Sequence, residues 1–450
     1  MKPPRKIHPR SRKQERGVTL LLVAVIMVVV LAMAALAIDI STLYVARSES
    51  LRAAEAAAVA GAKALVAAGV TGDPNNSSGS WQTACTLATQ QAQSVAAQNK
   101  IAGVSLSAAQ VTVTFPNAPS ADCSGTNLNF GVNPQVKVSV QRTDLPIFFA
   151  RIWRRTPASL SAAATAEAFN PSNSSSVTGG QGVPVAPRCV KPWIIPNCDP
   201  GHATPANNPL CPAGVASLID PNSGAISNPG PNTAGGVIGE AITLQDDCSN
   251  NQSGCAWADL NPPQTPGPGV YVVASMPPPP SGALPSCVGS SSYEQNIEAC
   301  NPTPFSCVSV PAPGGNATVD FTNNTHQDTK SGIECLTHQP GPDILASALP
   351  LQIQAGANNP LLGSTVRTGD DISTSDSIIT IPIYDGLAVP STGQVNIIGF
   401  MQAFIDAGGI PGNGRIPIKV LNIAGCGSNS GTTPVVGGGI SPIPVRLIHQ

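Results

Sequence analysis

The sequence predicts an α+β protein in which an N-terminal transmembrane helix continues into a long helix packed on a small antiparallel sheet. A loop-rich, mostly β, disulfide-tied domain is expected to follow. Three observations predict this: an uncharged apolar run near the N-terminus, a helical pattern that continues from it, and later segments of alternating apolar residues. The expected organisation is a basic cytoplasmic tail at 1–16, a membrane helix at 17–38, an exported α+β head domain at 39–170 and an exported domain rich in Pro, Gly and Cys at 171–450.

The apolar run extends from Val18 to Ile38 and contains no charge, no proline and no glycine. At a rise of about 1.5 Å per residue, a helix of this length covers roughly 31 Å, close to the thickness of the hydrocarbon core of a bilayer. Backbone polar groups in lipid must be satisfied within the segment, so the run must be helical. It therefore predicts a single membrane anchor.

The flanks of the run predict its orientation. Seven of the 23 Lys and Arg residues lie in the first 16 positions, and after the run the next basic residue is Arg47. The positive-inside rule therefore predicts a cytoplasmic N-terminus and an exported body. The alternative is a signal peptide cleaved at the A-x-A site Ala35–Ala37, although the run is longer than an ordinary signal-peptide core. Both interpretations export the bulk of the chain.

Composition excludes a nucleic-acid-binding role. Beyond residue 16 the chain carries 16 positive and 24 negative charges, so it lacks the basic surface that binds nucleic acid. Charged residues make up only 11% of the sequence, which also contains 43 Gly and 45 Pro. This composition favours loops over long regular elements.

The 12 cysteines predict disulfides, because an even count in an exported chain is typical of an oxidising compartment. The pairing cannot be deduced from the sequence. The alternative of structural zinc is weaker, since no C-x-x-C is present and no His lies at ligand spacing from a Cys. We predict structural, disulfide-bonded roles for Cys189, Cys198, Cys211, Cys248, Cys255, Cys287, Cys300, Cys307, Cys335 and Cys426.

Beyond the membrane, the helical pattern continues to Ala68 and presents one small, mostly apolar face. The members of this face are Leu43, Arg47, Leu51, Ala54, Ala58, Gly61 and Leu65. The face could pack on the protein's own head domain, or it could bind a partner helix and form a helix-mediated oligomer. A second helix is predicted over 80–99, and a short helical turn over 145–152.

Alternation of apolar and polar residues predicts strands in both parts of the exported body. The predicted strands of the head are 111–115, 136–140 and 159–169. Those of the second domain are 378–383, 394–400 with an extension to 406, and 416–423.

Three segments together resemble the N-terminal region of TadE/TadG-type proteins of bacterial tight-adherence (Flp) pilus systems. They are Glu15-Arg-Gly-Val-Thr at the start of the apolar run, Ala37-Ile-Asp-Ile-Ser-Thr-Leu-Tyr-Val-Ala-Arg47 at its exit, and Leu51-Arg-Ala-Ala-Glu-Ala-Ala-Ala-Val-Ala-Gly-Ala62 in the helix. The family pattern has Gln, Asp and Leu where this chain has Leu51, Glu55 and Val59. The segments 144–150 and 162–167 also resemble the strand–turn–strand that closes the first domain in TadG-like relatives.

The resemblance implies a single-pass protein of the bacterial inner membrane that acts in pilus assembly or adhesion, with the bilayer and other pilus-assembly membrane proteins as partners. Type IV-like prepilins are cleaved after a Gly whose fifth following residue is Glu, whereas Gly17 is followed at that distance by Leu22, which argues against such processing. Some TadG relatives carry an adhesion domain with a D-x-S-x-S metal motif. Asp371–Ser375 matches the motif, but its flanks favour a Ser/Thr-rich turn.

No catalytic motif and no cofactor-binding motif is present in the sequence, so we expect neither an enzyme nor a cofactor. His326 lies near Asp328, and His338 follows Cys335, but these pairs occur in what we expect to be loops. Two functions follow: a non-catalytic, membrane-anchored component of a Flp-type pilus, or alternatively an exported adhesin or binding module that recognises a surface carbohydrate or protein.

Overall fold

The computed structural model describes most of the regular elements of the chain. The described residues are 15–67, 80–116, 123, 134–145, 149, 157–169, 185–203, 215–220, 226–228, 232, 235–245, 269–305, 317–320, 326–346, 352–363, 366–372, 374–386, 389, 392–406, 408, 410, 414–426, 435–436, 443 and 445–448.

The described elements are named in chain order. The helices are α1 (Glu15–Ala67), α2 (Ser80–Gln98), α3 (Ser292–Glu298) and α4 (His326–Leu336). The strands are β1 (Val111–Thr114), β2 (Gln135–Leu145), β3 (Ala158–Ala168), β4 (Val185–Ala186), β5 (Trp193–Pro196), β6 (Asp199–Ala203), β7 (Val215–Ala216), β8 (Ala241–Leu244), β9 (Val272–Val273), β10 (Ala317–Thr318), β11 (Ile344–Leu345), β12 (Ile353–Gln354), β13 (Asp371–Ile372), β14 (Ile378–Tyr384), β15 (Gln394–Val395), β16 (Ile397–Ile405), β17 (Ile416–Gly425), β18 (Val435–Val436) and β19 (Val445–Ile448).

The head consists of α1 and α2 packed on an antiparallel sheet with the strand order β1-β2-β3-β19. Along β2 the side chains of Val136, Val138 and Val140 are buried and alternate with partly exposed ones, which is the period-2 pattern of a sheet with one covered face. The alanine-rich faces of the two helices cover that side of the sheet. The predicted long helix on a small antiparallel sheet is confirmed.

The strand β19 joins the head sheet from the far end of the sequence, and the sequence did not predict it. It pairs antiparallel with β3, with Arg446 directly opposite Glu167. Nε of Arg446 lies 2.7 Å from Oε2 of Glu167, and its guanidinium lies 4.5 Å above the ring of Phe169. This ion pair and cation–π contact help to hold the register of a strand that is only four residues long.

The β-rich part is built around a sheet with the strand order β8-β17-β16-β14-β5-β9. All neighbours are antiparallel except β14 and β5, which are parallel. Every residue of β16 is buried, as is typical of a central strand covered on both faces. The predicted strands at 378–383 and 416–423, and the extension to 406, are confirmed. The strand predicted from residue 394 is divided, because β15 pairs with β10 and β16 begins at Ile397.

Two helices, α3 and α4, replace the loops expected for this part of the chain. The expectation that His326 and Asp328 lie in a loop is wrong, since both lie in the first turn of α4. Ser291 explains the start of α3: its hydroxyl accepts the N–H of Glu294 at 3.1 Å and donates to the Asp328 carboxylate at 2.8 Å. The two helices therefore stabilise each other through a capping contact that neither segment shows by its own periodicity.

The domain boundary at 170/171 stays a prediction. The end of α1 contacts the β-rich part where the side-chain amide of Asn422 donates to the carbonyl of Val66 at 3.4 Å. A small buried cluster of Val66, Ala168, Ala424 and Ile443 surrounds this contact. The predicted turn around 145–152 lies outside the described residues, except for Leu145 and Phe149.

Candidate functional site: the anchor helix and its junction with the head

The apolar run of α1 is uncovered along its whole length. From Val18 to Ile38 the large apolar side chains are exposed, and none of the most apolar stretch of the helix is buried inside the protein. A continuous apolar surface of this size is unfavourable in water and marks a contact with lipid or with another protein. By length and composition, this part of α1 is a candidate membrane span.

Burial begins abruptly at Asp39, the first charged residue after the run. Asp39 is buried, and its carboxylate accepts the backbone N–H of Phe149 at 3.1 and 3.3 Å. The hydroxyls of Ser41 and Thr42 donate to carbonyls one turn earlier in α1 at 2.8 Å. These contacts satisfy the polar groups at the exit from the apolar run and attach the helix to the chain that follows β2.

The next part of α1 packs on its own head, as the first of the two interpretations of its small-residue face predicted. Ala54, Ala58, Gly61 and Leu65 are buried as expected. The prediction is wrong for Arg47 and Leu51, which are exposed. The buried face is rotated from the predicted one, because contacts with both α2 and the sheet also bury the residues Ala46, Ser50, Ala53, Ala57 and Ala62.

An outward stripe remains on the opposite side of α1, just beyond the apolar run. It consists of Ile40, Tyr44, Arg47 and Leu51, which recur at helical spacing. Tyr44 is 75% exposed and Leu51 is 44% exposed, although both are large apolar residues. We call this set the outward stripe; no described part of the chain covers it.

Three disulfides are described: Cys85–Cys123, Cys189–Cys300 and Cys287–Cys335. Cys198 and Cys426 are also disulfide-bonded. The first of the three pairs was not among the ten predicted structural cysteines, although both members belong to the even count of twelve that indicated disulfides. The predicted members Cys211, Cys248, Cys255 and Cys307 lie outside the described residues.

The D-x-S-x-S segment begins in β13, where Asp371 is exposed. Ser375 is buried and its hydroxyl donates to the carboxylate of Asp343, which also accepts the amide of Asn359 at 2.8 Å. The Ser375 hydroxyl is thus part of a hydrogen-bonded turn. The strand β14 follows directly, as the sequence predicted, and Ser373 lies outside the described residues.

The histidine that follows Cys335 lies at a surface cavity of about 500 Å³ beside the Cys287–Cys335 disulfide. Nε2 of His338 lies 2.8 Å from Oδ2 of Asp376. Since the sulfur of Cys335 is bonded to Cys287, the pair supplies no thiolate nucleophile.

Sequence reasoning missed a cluster of Asp199, His202 and Glu240. One potential ligand atom from each residue lies within 4.8 Å of the others. Nδ1 of His202 is 2.8 Å from Oδ2 of Asp199 and 3.7 Å from Oε2 of Glu240. Burial, together with the nearby Asp199 carboxylate, raises the pKa of Glu240 to about 7. The available signal was the D-x-x-H spacing of Asp199 and His202, but the sequence offered no reason to place Glu240 beside them.

Comparison with known proteins gives one match. The family model Tad, which describes Flp pilus-assembly TadE/G-like proteins, matches residues 17–64. No curated protein and no solved structure matches the chain. The matched segment covers the apolar run, its exit at Asp39 and the helix that packs on the head, all within α1. The resemblance predicted from the sequence is thus confirmed for the N-terminal region, where residues 17–64 are similar to Flp pilus-assembly TadE/G-like proteins.

Proposed function

We propose that the protein is a non-catalytic, single-pass component of a Flp/Tad-type pilus-assembly system in the bacterial inner membrane. In this proposal residues 1–16 are cytoplasmic, 17–38 cross the bilayer, and the domains 39–170 and 171–450 are exported. The observation that carries it is the division of α1: the helix is uncovered up to Ile38, and from Asp39 onwards one of its faces is buried against the head. The pilus-family match falls on this same helix.

Two independent features support export of the body. The basic residues before the apolar run outnumber those just after it, which favours a cytoplasmic N-terminus. The three described disulfides all lie after the run, and disulfides persist in oxidising compartments rather than in the cytosol.

Anchoring is tested by a matched pair of double substitutions. Val25→Arg with Val29→Arg places two charges in the apolar run, at a cost of about 6 kcal/mol for membrane insertion. Val104→Arg with Val288→Arg places the same charges at exposed valines of the body; Val29 and Val104 are similarly exposed, at 50% and 53%. We expect the first variant to leave the alkali-resistant membrane fraction and the second to remain there. Equal retention of both variants would contradict the anchor.

Deletion of the whole gene tests the role in the pilus. Loss of surface pili, restored by the intact gene, is the expected result. Intact pili on cells that no longer attach would contradict an assembly role and favour the alternative, an exported adhesin.

We further propose that the outward stripe binds another membrane protein of the assembly system. A helix from a partner would cover Tyr44 and Leu51, whose apolar surface stands just outside the apolar run. A photo-crosslinking amino acid at Tyr44 should give a discrete higher-mass product in pilus-producing cells. The same amino acid at the exposed Lys100 on the head is the control. Equal labelling at the two positions would count against a partner at the stripe.

A further inference from the structure

The cluster of Asp199, His202 and Glu240 has a composition that the proposed pilus role does not explain. Asp199 and His202 belong to β6, whereas Glu240 immediately precedes β8 at the edge of the six-stranded sheet. The side chains are 1%, 22% and 12% exposed, so two carboxylates and an imidazole share a nearly closed space. No lysine or arginine among the described residues forms an ion pair with either carboxylate.

One atom of the cluster lacks a partner. Oε2 of Glu240 is shielded from solvent and accepts no hydrogen bond from the described residues. A buried carboxylate oxygen without a donor costs free energy, and such an atom calls for an explanation. This oxygen faces Nδ1 of His202 at 3.7 Å.

The surrounding chain holds the three groups in place. Oδ1 of Asp199 accepts the N–H of Gly201 at 3.0 Å, and Oδ2 faces the amide of Asn228 at 3.4 Å. The carbonyl of Glu240 accepts the N–H of Val420 in β17 at 2.9 Å, which fixes its backbone to the sheet. A Cβ at Gly201 would lie 1.8 Å from Oε1 of Glu240, so only glycine leaves the carboxylate where it is. Ligand positions fixed by secondary contacts are typical of metal sites.

We propose that Asp199, His202 and Glu240 bind a divalent zinc ion, with His202 contributing Nδ1 and each carboxylate one oxygen. Ligands at about 2.0–2.2 Å from a tetrahedral ion are roughly 3.3 Å apart, and the observed separations of 2.8 and 3.7 Å lie on either side of that value. One imidazole with two carboxylates favours Zn²⁺ over Ca²⁺ or Mg²⁺, which prefer oxygen ligands alone. The positive ion would offset both buried negative charges and give Oε2 of Glu240 a partner.

Such an ion would have a structural role. It would join the two-stranded β6–β7 pair to β8, an edge strand of the large sheet. Since the side chain of His202 is 22% exposed, water would be able to reach the ion from that side. The alternative to a zinc ion is a proton on Glu240 that is shared with the carboxylate of Asp199. Zinc binding must therefore be measured directly.

The test uses the full-length protein in detergent, purified on a tag without histidines. After treatment with a chelator and reconstitution with zinc sulfate, we expect one zinc per chain by elemental analysis. Co²⁺ in place of zinc should give the visible absorption of a tetrahedral site. His202→Asn and Glu240→Gln should each weaken zinc binding by more than the roughly 10- to 100-fold cost of losing a second-shell partner.

His338→Asn is the matched control. In the wild type, Nε2 of His338 also lies 2.8 Å from an aspartate oxygen, Oδ2 of Asp376. Among the described residues, however, no third Asp, Glu, Cys or His lies close enough to complete a metal site with this pair. The control should bind zinc as the wild type does, and zinc should raise the thermal midpoint of both but not of the two site variants. Equal zinc content in the wild type and the site variants would show an adventitious ion and overturn the proposal. Tighter binding of Ca²⁺ than of Zn²⁺ would also overturn the proposal. So would a reconstituted wild-type protein that contains no zinc, because the space between the carboxylates would then be explained by the shared proton.

Discussion

Gly61 is the position in the head where a side chain is expected to do the most damage. A Cβ at this position would lie 3.0 Å from Cγ1 of Val136, 3.2 Å from the carbonyl oxygen of Ala88 and 3.4 Å from Cβ of Ala92. The glycine therefore lets α1 approach α2 and β2 at the same point. It also belongs to the segment matched by the pilus-assembly family, so its packing role bears on the head that the anchor carries.

Two opposing effects determine the result of Gly61→Leu. The change gains about 0.8 kcal/mol of helix propensity, because glycine is a poor helix former. Overpacking costs about 1–3 kcal/mol and sometimes more, and no rotamer of leucine avoids it, since the Cβ itself is already crowded. Leucine should incur the upper end of this cost, because its three further carbons add to the crowding at Cβ, so we expect a net loss of about 2 kcal/mol, equivalent to a fall of roughly 6 °C in the melting temperature of a domain of this size. Gly61→Ala should come out close to neutral, because the two effects nearly cancel.

The assay is protease resistance of the head after brief heating of membranes that contain the full-length protein. Ala56→Leu is the control, because Ala56 lies on the exposed face of the same helix. We expect this control to melt within about 2 °C of the wild type, since exposed substitutions usually change the free energy of unfolding little. If Gly61→Leu melts with the control, the close approach of α1 to α2 and β2 is not what stabilises the head.

Three further predictions concern other parts of the chain. Lys191 is buried and donates to two carbonyls, and burial lowers its pKa to about 8. Between pH 8 and 10.5 the unfolded state therefore binds more protons than the folded state, so the free energy of unfolding should rise with pH by about 3 kcal/mol in that window. Lys191→Met should abolish this rise in urea unfolding measured across pH. Asp39→Ala should remove the acceptor of the Phe149 N–H, destabilise the junction by about 1–3 kcal/mol and speed protease cleavage near residue 149, whereas unchanged cleavage would show that the contact is dispensable. Replacing Cys287 and Cys335 together by serine should cost about 4 kcal/mol, because their disulfide closes a loop of 48 residues, and an unchanged thermal midpoint would contradict that estimate.

Much of the fold could be predicted from the sequence where a period or an apolar run persists over many residues. The helix α1 begins with a long uncharged apolar run, β2 alternates between buried and more exposed residues, and β14 and β17 are mostly apolar between turns. The rotation of the buried face of α1 could not be predicted. Alanine occurs on nearly all sides of this helix, and contact with two partners at once decides which alanines are covered.

The other features of the fold and of the candidate site could not be predicted, because they depend on contacts between residues that are far apart in the sequence. The strand β19 is short and joins the head sheet through Arg446, whose partner Glu167 lies 279 positions earlier. Glu240 meets Asp199 and His202 only after β8 has joined the large sheet. α3 and α4 are short, and the hydroxyl of Ser291 links them through Asp328 rather than through a hydrophobic stripe. None of these contacts leaves a local periodic signal.

The head and the β-rich part are stabilised in different ways, and the difference follows from their amino acids. The head buries mostly alanine and valine, so each residue removes little apolar surface from water, and stability depends on how closely helix and sheet approach. The β-rich part buries isoleucine, phenylalanine and tyrosine in its central sheet and closes its long connections with disulfides. Since those bonds persist only in an oxidising compartment, the β-rich part should reach its full stability only there. The head also contains one described disulfide, Cys85–Cys123, but the contacts of α1 with the sheet need no oxidation. Dithiothreitol should therefore lower the protease resistance of the β-rich part before that of the α1–sheet core, and the reverse order would contradict this division.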